Sequence, residues 1–321
     1  MNTPVPQKMK AAAIDRFGGP EVLELKSLPV PRPKPKEVLI RLEVAGIGVW
    51  DPAVRAGEVE LGPKGTFPRV IGNDGAGTIA AVGSGVKRFK VGDLVYAYAF
   101  EGGFYAEYVA VPESEVAPIP RGLSPREAGA LGADGITALR GLEDTLHLEK
   151  GETLMIFGAS GGIGHIAVQL AKRMGAKVLA VASKPDGVAL VRRLGADVAV
   201  DGHKEDVAQA ARAFAPEGLD AALVLVAGHG LDDALAAMGK AGRVAYPNGV
   251  EPEPRPPKGV RARGYDGIPA REAFERLNRL IGDQPFHVEI GRVYRLEEAA
   301  SAHRQLEDHH LGKLAFEIRP S

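Results

Sequence analysis

The chain has 321 residues, 45% of them hydrophobic and 25% charged, with 40 basic against 41 acidic side chains and a net charge of −1. That length allows two domains, the balanced charge offers no basic footprint for nucleic acid or an anionic membrane, and no apolar run approaches the roughly 20 residues that span a bilayer. The absence of cysteine excludes disulfides, a thiol nucleophile and thiolate metal sites together, and the opening MNTPVPQK lacks the apolar core of a signal peptide, so a cytoplasmic protein is expected.

The opening residues read as a short disordered lead, with a strand starting near Met9. Lys10–Ile14 and Val22–Lys26 are predicted strands about a Gly-Gly-Pro turn at Gly18–Pro20, and Pro29–Pro35 is a proline-rich connector. Val38, Ile40, Leu42 and Val44 alternate with other residues, the period of a strand with one buried face. Gly77–Val82, Leu94–Tyr98 and Phe104–Val111 are further predicted strands bounded by Gly-Ser-Gly and Val-Gly-Asp turns. Short strands and frequent turns predict a small barrel-like fold.

The pattern changes after Leu123. Ser124-Pro125-Arg126-Glu127 carries an N-cap, a Pro at N1 and an early Glu, a helix start. Strands and helices then alternate: Thr153–Phe157, Gly162–Met174, Val178–Ala182, Val188–Leu194, Val198–Val200, Glu205–Phe214, Ala221–Val226, Leu231–Met238 and Arg243–Tyr246. This is the signature of a doubly wound parallel sheet, an α/β Rossmann domain. Val250–Lys258 is too rich in proline for a regular element. A helix over Ala270–Ile281, a strand over Val288–Val293, a helix over Leu296–Glu307 and a last strand over Lys313–Ile318 complete the chain. The closing strands are expected to return to the first module, with the active site in the cleft between modules.

The first strand of the alternating region runs into Gly158-Ala-Ser-Gly-Gly-Ile-Gly164, a variant of the dinucleotide-binding glycine turn. Gly158 and Gly161 are expected to adopt backbone angles that a Cβ penalises. Gly162 would let the main chain approach a pyrophosphate, and Gly164 would let the helix pack on the strand. The N–H groups near Ser160, Gly161, Gly162 and Ile163 would then face the anion at the positive end of the helix dipole.

A second signal lies about 20 residues on, where NAD sites place an Asp or Glu on the ribose 2′-hydroxyl. Ser183 and Lys184 stand there instead. A carboxylate repels a 2′-phosphate, whereas a hydroxyl and an ammonium bind it, so the cofactor is expected to be NADP(H). Asp186 follows Pro185 and reads as the N-cap of the next helix; Arg192 and Arg193 read as solvated charges on that helix.

Long segments in a fixed order carry a resemblance: MKAAAIDRFGGPEVLEL from Met9, EVLIRLEVAGI from Glu37, GNDGAGTIAAVGSGVKRFKVGDLVYA from Gly72, GGFYAEYVAVP from Gly102, GASGGIGHIAVQLAK from Gly158 and YRLEEAASAHRQLEDHHLGKLAFEI from Tyr294. The chain resembles the zinc-less quinone oxidoreductase-like branch of the medium-chain dehydrogenase/reductase superfamily. The resemblance implies a GroES-like barrel catalytic domain over 1–123 and 265–321 and a Rossmann NADP(H)-binding domain over 124–264. Zinc-dependent relatives carry a Cys after the Gly-Ile of a strand end and then a Gly-His-Glu. Here Gly48 follows Gly46-Ile47, and Gly72-Asn73-Asp74 stands at the second motif. Asp74 alone cannot supply the three protein ligands of a catalytic zinc, so no metal is expected.

The same resemblance places Gly48, Trp50 and Asp51 at the pocket, although the Asn and Tyr common in the branch are missing. Trp50 is either a pocket wall or a core residue beneath its loop. Asp51 reads as a cap or hydrogen-bond anchor rather than an acid. Thr137, in GITALRGL, would contact the cofactor, and Ala227, Tyr246 and Pro247, at strand ends, would line its nicotinamide half. His165 reads as packing, and His303, His309 and His310 as surface residues. Lys313 is a candidate to reach the cofactor. The implied activity is NADPH-dependent, metal-free hydride transfer to a quinone or other α,β-unsaturated carbonyl, in a homodimer. An enoyl or acryloyl thioester reductase and a non-catalytic NADPH-binding sensor or scaffold remain open.

Overall fold

A computed structural model of the chain describes residues 4–59 and 66–318. The chain divides into a first unit, Met1–Ala133 with Pro269–Asn278 and Gly282–Ser321, and a second, Asp134–Ile268 with Arg279–Ile281. The first begins with β1 (Lys8–Ile14), β2 (Glu24–Pro29), β3 (Glu37–Ile47), α1 (Asp51–Ala56), β4 (Arg69–Val70), β5 (Asp74–Val82), β6 (Leu94–Tyr98), β7 (Tyr108–Pro112), β8 (Val116–Pro118) and α2 (Pro125–Gly129). β1 starts at Lys8, one residue before the expected start near Met9; of the expected disordered lead, residues 1–3 lie outside the described residues. Phe104 and Tyr105, expected in a strand, lie in the loop before β7. They are fully buried, and Tyr105 N donates to Ile71 O at 3.0 Å while its carbonyl accepts from Ala12 N at 2.8 Å. α2 starts where its capping box requires: Ser124 Oγ accepts from Glu127 N, and the Glu127 carboxylate accepts from Ser124 N at 2.9 Å.

α3 (Gly132–Leu139) continues into a π-helical turn, Arg140–Thr145. The second unit then builds β9 (Thr153–Phe157), α4 (Gly162–Arg173), β10 (Lys177–Ala182), α5 (Lys184–Arg193), β11 (Val198–Asp201), α6 (Val207–Phe214), β12 (Leu219–Val224), α7 (Leu231–Leu235), β13 (Met238–Pro247) and β14 (Arg261–Tyr265). The sheet order is β11-β10-β9-β12-β13-β14, every pair parallel. The chain works outward from β9 to β11 and then returns to β12, so the topological switch lies between β9 and β12. Ligands of such sheets bind beyond the strand ends at that switch. The predicted helix to Met238 stops at Leu235, because Met238 already pairs with Leu219 at the start of β13. β14 is a strand that Arg-Ala-Arg-Gly does not advertise; parallel pairing to β13, Arg243↔Arg261 through Pro247↔Tyr265, makes it one.

α8 (Arg271–Ile281) follows, then β15 (Ile290–Tyr294), α9 (Ala299–Gln305) and β16 (Lys313–Glu317). The last two strands join the first unit's larger sheet, ordered β15-β16-β3-β5-β6-β8 with β7 also on β3. β16 runs antiparallel to β3, pairing Leu314 with Ile47 and Phe316 with Ala45. The smaller sheet is β2-β1-β4. The core of the first unit includes Ile40, Leu42, Ile47, Ile79, Phe104, Tyr105, Leu314 and Phe316.

Candidate active site

In the second unit the glycine turn sits at the end of β9. Gly158 has φ +90°, the left-handed angle expected of it. Gly161 does not: it is extended at φ −79° and serves as the N-cap of α4. Gly162 has a different reason to lack a side chain. The space a Cβ would fill is taken by Asp134 Oδ2, a carboxylate seated at the positive end of α4. Gly164 does what its position suggested, since a Cβ there would meet the Gly158 carbonyl and the Ala159 backbone. His165 is fully buried, with Nδ1 2.9 Å from Gly161 O, a packing role. Ser160 is buried, and a Cβ on Gly187 would lie 2.9 Å from its Oγ, so the turn and the start of α5 touch.

Ser183 is the N-cap of α5, and exposed Lys184 is its first residue, at φ +60°. Asp186 is therefore not the cap. It lies in the first turn, where its carboxylate accepts from Gly187 N at 2.9 Å. The helix starts earlier than expected because Pro185 is favoured in a first turn. Beyond β12, a Cβ on Gly158 would lie 2.9 Å from Val226, and one on Gly228 would lie 3.2 Å from the Phe157 ring. The segment holding Ala227 thus runs beside the glycine turn. Tyr246 and Pro247 end β13. Thr137 is packed against Gly267, and its carbonyl accepts from Tyr265 OH at 3.1 Å. A cavity of about 510 Å³ opens beyond β12, bounded by Ala227, Leu231, Asp232, Asp233, Glu253 and Arg255 among others.

In the first unit, Gly48, Trp50 and Asp51 form the turn from β3 into α1. Trp50 is 40% exposed and Val49 68%, which removes the core reading of the tryptophan. Asp51 is buried and ties the turn shut: its Oδ2 accepts from Gly48 N at 2.7 Å, and its own N donates to Gly48 O at 3.1 Å. Tyr105 OH donates to the same Oδ2 at 2.6 Å. His303 Nε2 lies 3.1 Å from Tyr105 OH, and Arg55 Nη1 lies 2.9 Å from His303 Nδ1. Burial first, opposed mainly by the hydrogen bond from Tyr105, pushes the Asp51 carboxyl up to about 6. Burial, and then the Arg55 charge, pulls His303 down to about 3, so the imidazole is neutral. His303 is thus a core residue and not a surface one. On α9 it follows Ala299 and Ala302 at helical spacing, all three buried, and that spacing was the available signal. Nothing local in the sequence marks Tyr105 or Arg55 as its partners.

Lys313 is equally buried. Its ammonium lies 3.0 Å from Asp74 Oδ2, both side chains being 2% exposed, and the same oxygen accepts from Ala133 N at 2.9 Å. A Cβ on Gly46 would strike Asp74 Oδ1 and the Lys313 stem, so glycine at 46 is what lets the pair form. Asn73 is spent on the backbone, donating to Ala99 O at 2.8 Å and to Phe100 O at 3.3 Å.

A family model described as "Alcohol dehydrogenase GroES-like domain" matches residues 34–121, and one described as "Zinc-binding dehydrogenase" matches residues 162–255. The quinone oxidoreductase of Mus musculus is 33% identical over 313 residues, covering 93% of this chain and 94% of its own. Among solved structures, the quinone oxidoreductase from Coxiella burnetii aligns with a TM-score of 0.85 at 30% identity, over 97% of this chain and all of that one. A mycobacterial protein solved in complex with NADPH aligns with a TM-score of 0.84 at 28% identity and the same coverage. The zinc in the second family's name does not fit these residues. Gly48 and Asn73 offer neither thiolate nor imidazole, Asp74 is neutralised by Lys313, and no cluster of three or more His, Asp or Glu suited to a metal occurs among the described residues.

Proposed function

The chain belongs to the quinone oxidoreductase-like branch of the medium-chain dehydrogenase/reductase superfamily, and we propose that this oxidoreductase uses NADPH, without a metal, to reduce quinones or other α,β-unsaturated carbonyls. The observation that carries the reading is the Asp74–Lys313 pair beside a glycine and an asparagine, where zinc relatives hold metal ligands. With no Lewis acid to polarise a ketone, the favoured acceptor is one already electrophilic that spreads the arriving charge over its own oxygen. Positioning and a few hydrogen-bond donors then suffice.

In this reading the N–H groups from Ser160 to Ile163 hold the pyrophosphate. Ser183 and the exposed Lys184, at the end of β10, take the 2′-phosphate. Thr137, Ala227, Tyr246 and Pro247 line the nicotinamide half. The bound cofactor supplies a hydride from its C4. An enoyl or acryloyl thioester is the rival acceptor within the same enzyme class. A cytoplasmic homodimer belongs to the same reading and is open to sedimentation analysis.

The test is a fluorescence titration with NADPH and NADH, followed by an acceptor screen. NADPH is expected to bind at least tenfold tighter, and Lys184→Ala to remove most of that preference, as for loss of a charge-assisted contact worth about 1.5–3 kcal/mol. Equal binding of the two cofactors would reject the 2′-phosphate site. NADPH binding without turnover of any quinone or enone would favour the sensor.

A further inference from the structure

The helix at the glycine turn brings no acid of its own: α4 has Gly161 as its N-cap, no side-chain cap bond and no acidic residue in its first turn. A carboxylate reaches it from another element. Asp134 lies in the first turn of α3, and its Oδ2 occupies the space that a Cβ on Gly162 would need, with Cγ and Oδ1 at 3.2 and 3.6 Å from the same point. Both residues belong to the second unit. The positive ends of α3 and α4 therefore share one carboxylate. Asp134 is half-buried, so water screens its charge incompletely.

Gly162 is what admits the carboxylate. It is the first helical residue of α4 and lies outside the left-handed region, so backbone strain does not call for a glycine there. Any side chain at 162 would displace Asp134. Gly161 differs: the nearest atom to a Cβ built on it is the Gly158 carbonyl oxygen, at an ordinary 3.6 Å. The turn thus keeps one glycine open and gives the next to an anion. A pyrophosphate held by the N–H groups of the same turn would bring its negative charge up to that fixed carboxylate, and like charges a few ångströms apart repel.

Resting on the reading of residues 158–164 as a dinucleotide turn, we propose that Asp134 sets the affinity of that site: it is a resident anion that weakens the hold of α4 on the pyrophosphate of the cofactor. The field of two helix ends attracts the phosphates, and the carboxylate between them offsets part of it. Such an offset keeps the site from retaining spent cofactor. Its effect is confined to the pyrophosphate, which NADPH and NADH share. Ser183 and Lys184 stand apart from it, at the end of β10, where they meet the 2′ position at which the two cofactors differ. Asp134 therefore scales both affinities by one factor, whereas Lys184 changes their ratio.

The experiment titrates NADPH and NADH separately into the wild type, Asp134→Asn and Asp134→Ala, following nicotinamide emission, with thermal unfolding to establish that each variant is folded. Asp134→Asn keeps the size of the side chain and removes its charge. It should tighten both cofactors about tenfold, the scale of one like-charge contact at a partly hydrated site, and leave the ratio of the two affinities unchanged. Asp134→Ala should do the same, and it carries the test if the amide variant does not fold. Loss of a merely structural contact would weaken binding, so the sign of the change separates the two roles. Affinities that are unchanged or weaker in a folded neutral variant overturn the assignment, while NADPH binding by the wild type keeps the dinucleotide reading. Tightening confined to NADPH also overturns it, because the effect would then belong to the 2′-phosphate. A wild type that binds neither cofactor overturns both.

Discussion

At the scale of single residues, two buried polar arrangements in the first unit respond to substitution in a signed way. Asp74 and Lys313 are stable only as a pair, since an isolated buried charge costs far more than a bridged one. Lys313→Met should destabilise the protein by about 3–5 kcal/mol, and the double variant Asp74→Asn, Lys313→Met should recover most of that; urea unfolding measures both. Asp51 and His303 titrate against each other. His303 is held at about 3 against 6.5 for a free histidine, so its contribution to stability is lost as pH falls below 6.5. Asp51 is held at about 6 against 3.8, so its contribution is lost as pH rises from 3.8 to 6. Between pH 4 and 6 the two slopes oppose. Asp51→Asn removes one of them, and its stability relative to wild type should rise by about 1–3 kcal/mol from pH 4 to pH 6. A pH-independent difference would mean that Asp51 does not titrate in that window.

At the scale of elements, the glycine turn shows how much of a site a sequence discloses. The strand, turn and helix of Thr153–Arg173 follow from an apolar run, a break and a helical repeat, all local. Gly164 follows as well, and its reason can be tested: a Cβ there would overlap the Gly158 and Ala159 backbone. Gly164→Ala should push α4 off β9 and weaken NADPH binding tenfold or more, read by the same fluorescence titration. The roles of Gly161 and Gly162 were not legible. Gly161 caps the helix in an extended conformation, and Gly162 makes room for Asp134, a residue 28 positions away whose approach depends on α3. The capping box of Ser124 and Glu127, by contrast, is complete within four residues. Ser124→Ala should cost about 1 kcal/mol, measurable as a lowered urea midpoint.

At the scale of the whole molecule, the chain completes its first unit only after building its second. β16 pairs with β3, α9 brings His303 to Tyr105, and β16 brings Lys313 to Asp74. A chain ending at Ile268 should therefore lose the native Trp50 emission and the cooperative unfolding of the first unit, because it strands Asp74 and uncovers β3. Native-like near-UV circular dichroism from that fragment would contradict this. The sequence by itself determined the α/β class, the Rossmann order of elements and the family, because each is written in residue identity and short-range period. Tertiary structure alone decided that β14 is a strand, that Lys313 is buried against Asp74, and that His303 meets Tyr105 and Arg55. The physical reason is distance along the chain. His303 and Tyr105 are 198 residues apart, Arg55 and His303 248, and Asp74 and Lys313 239; burial and hydrogen-bond direction arise only once folding has set such residues side by side.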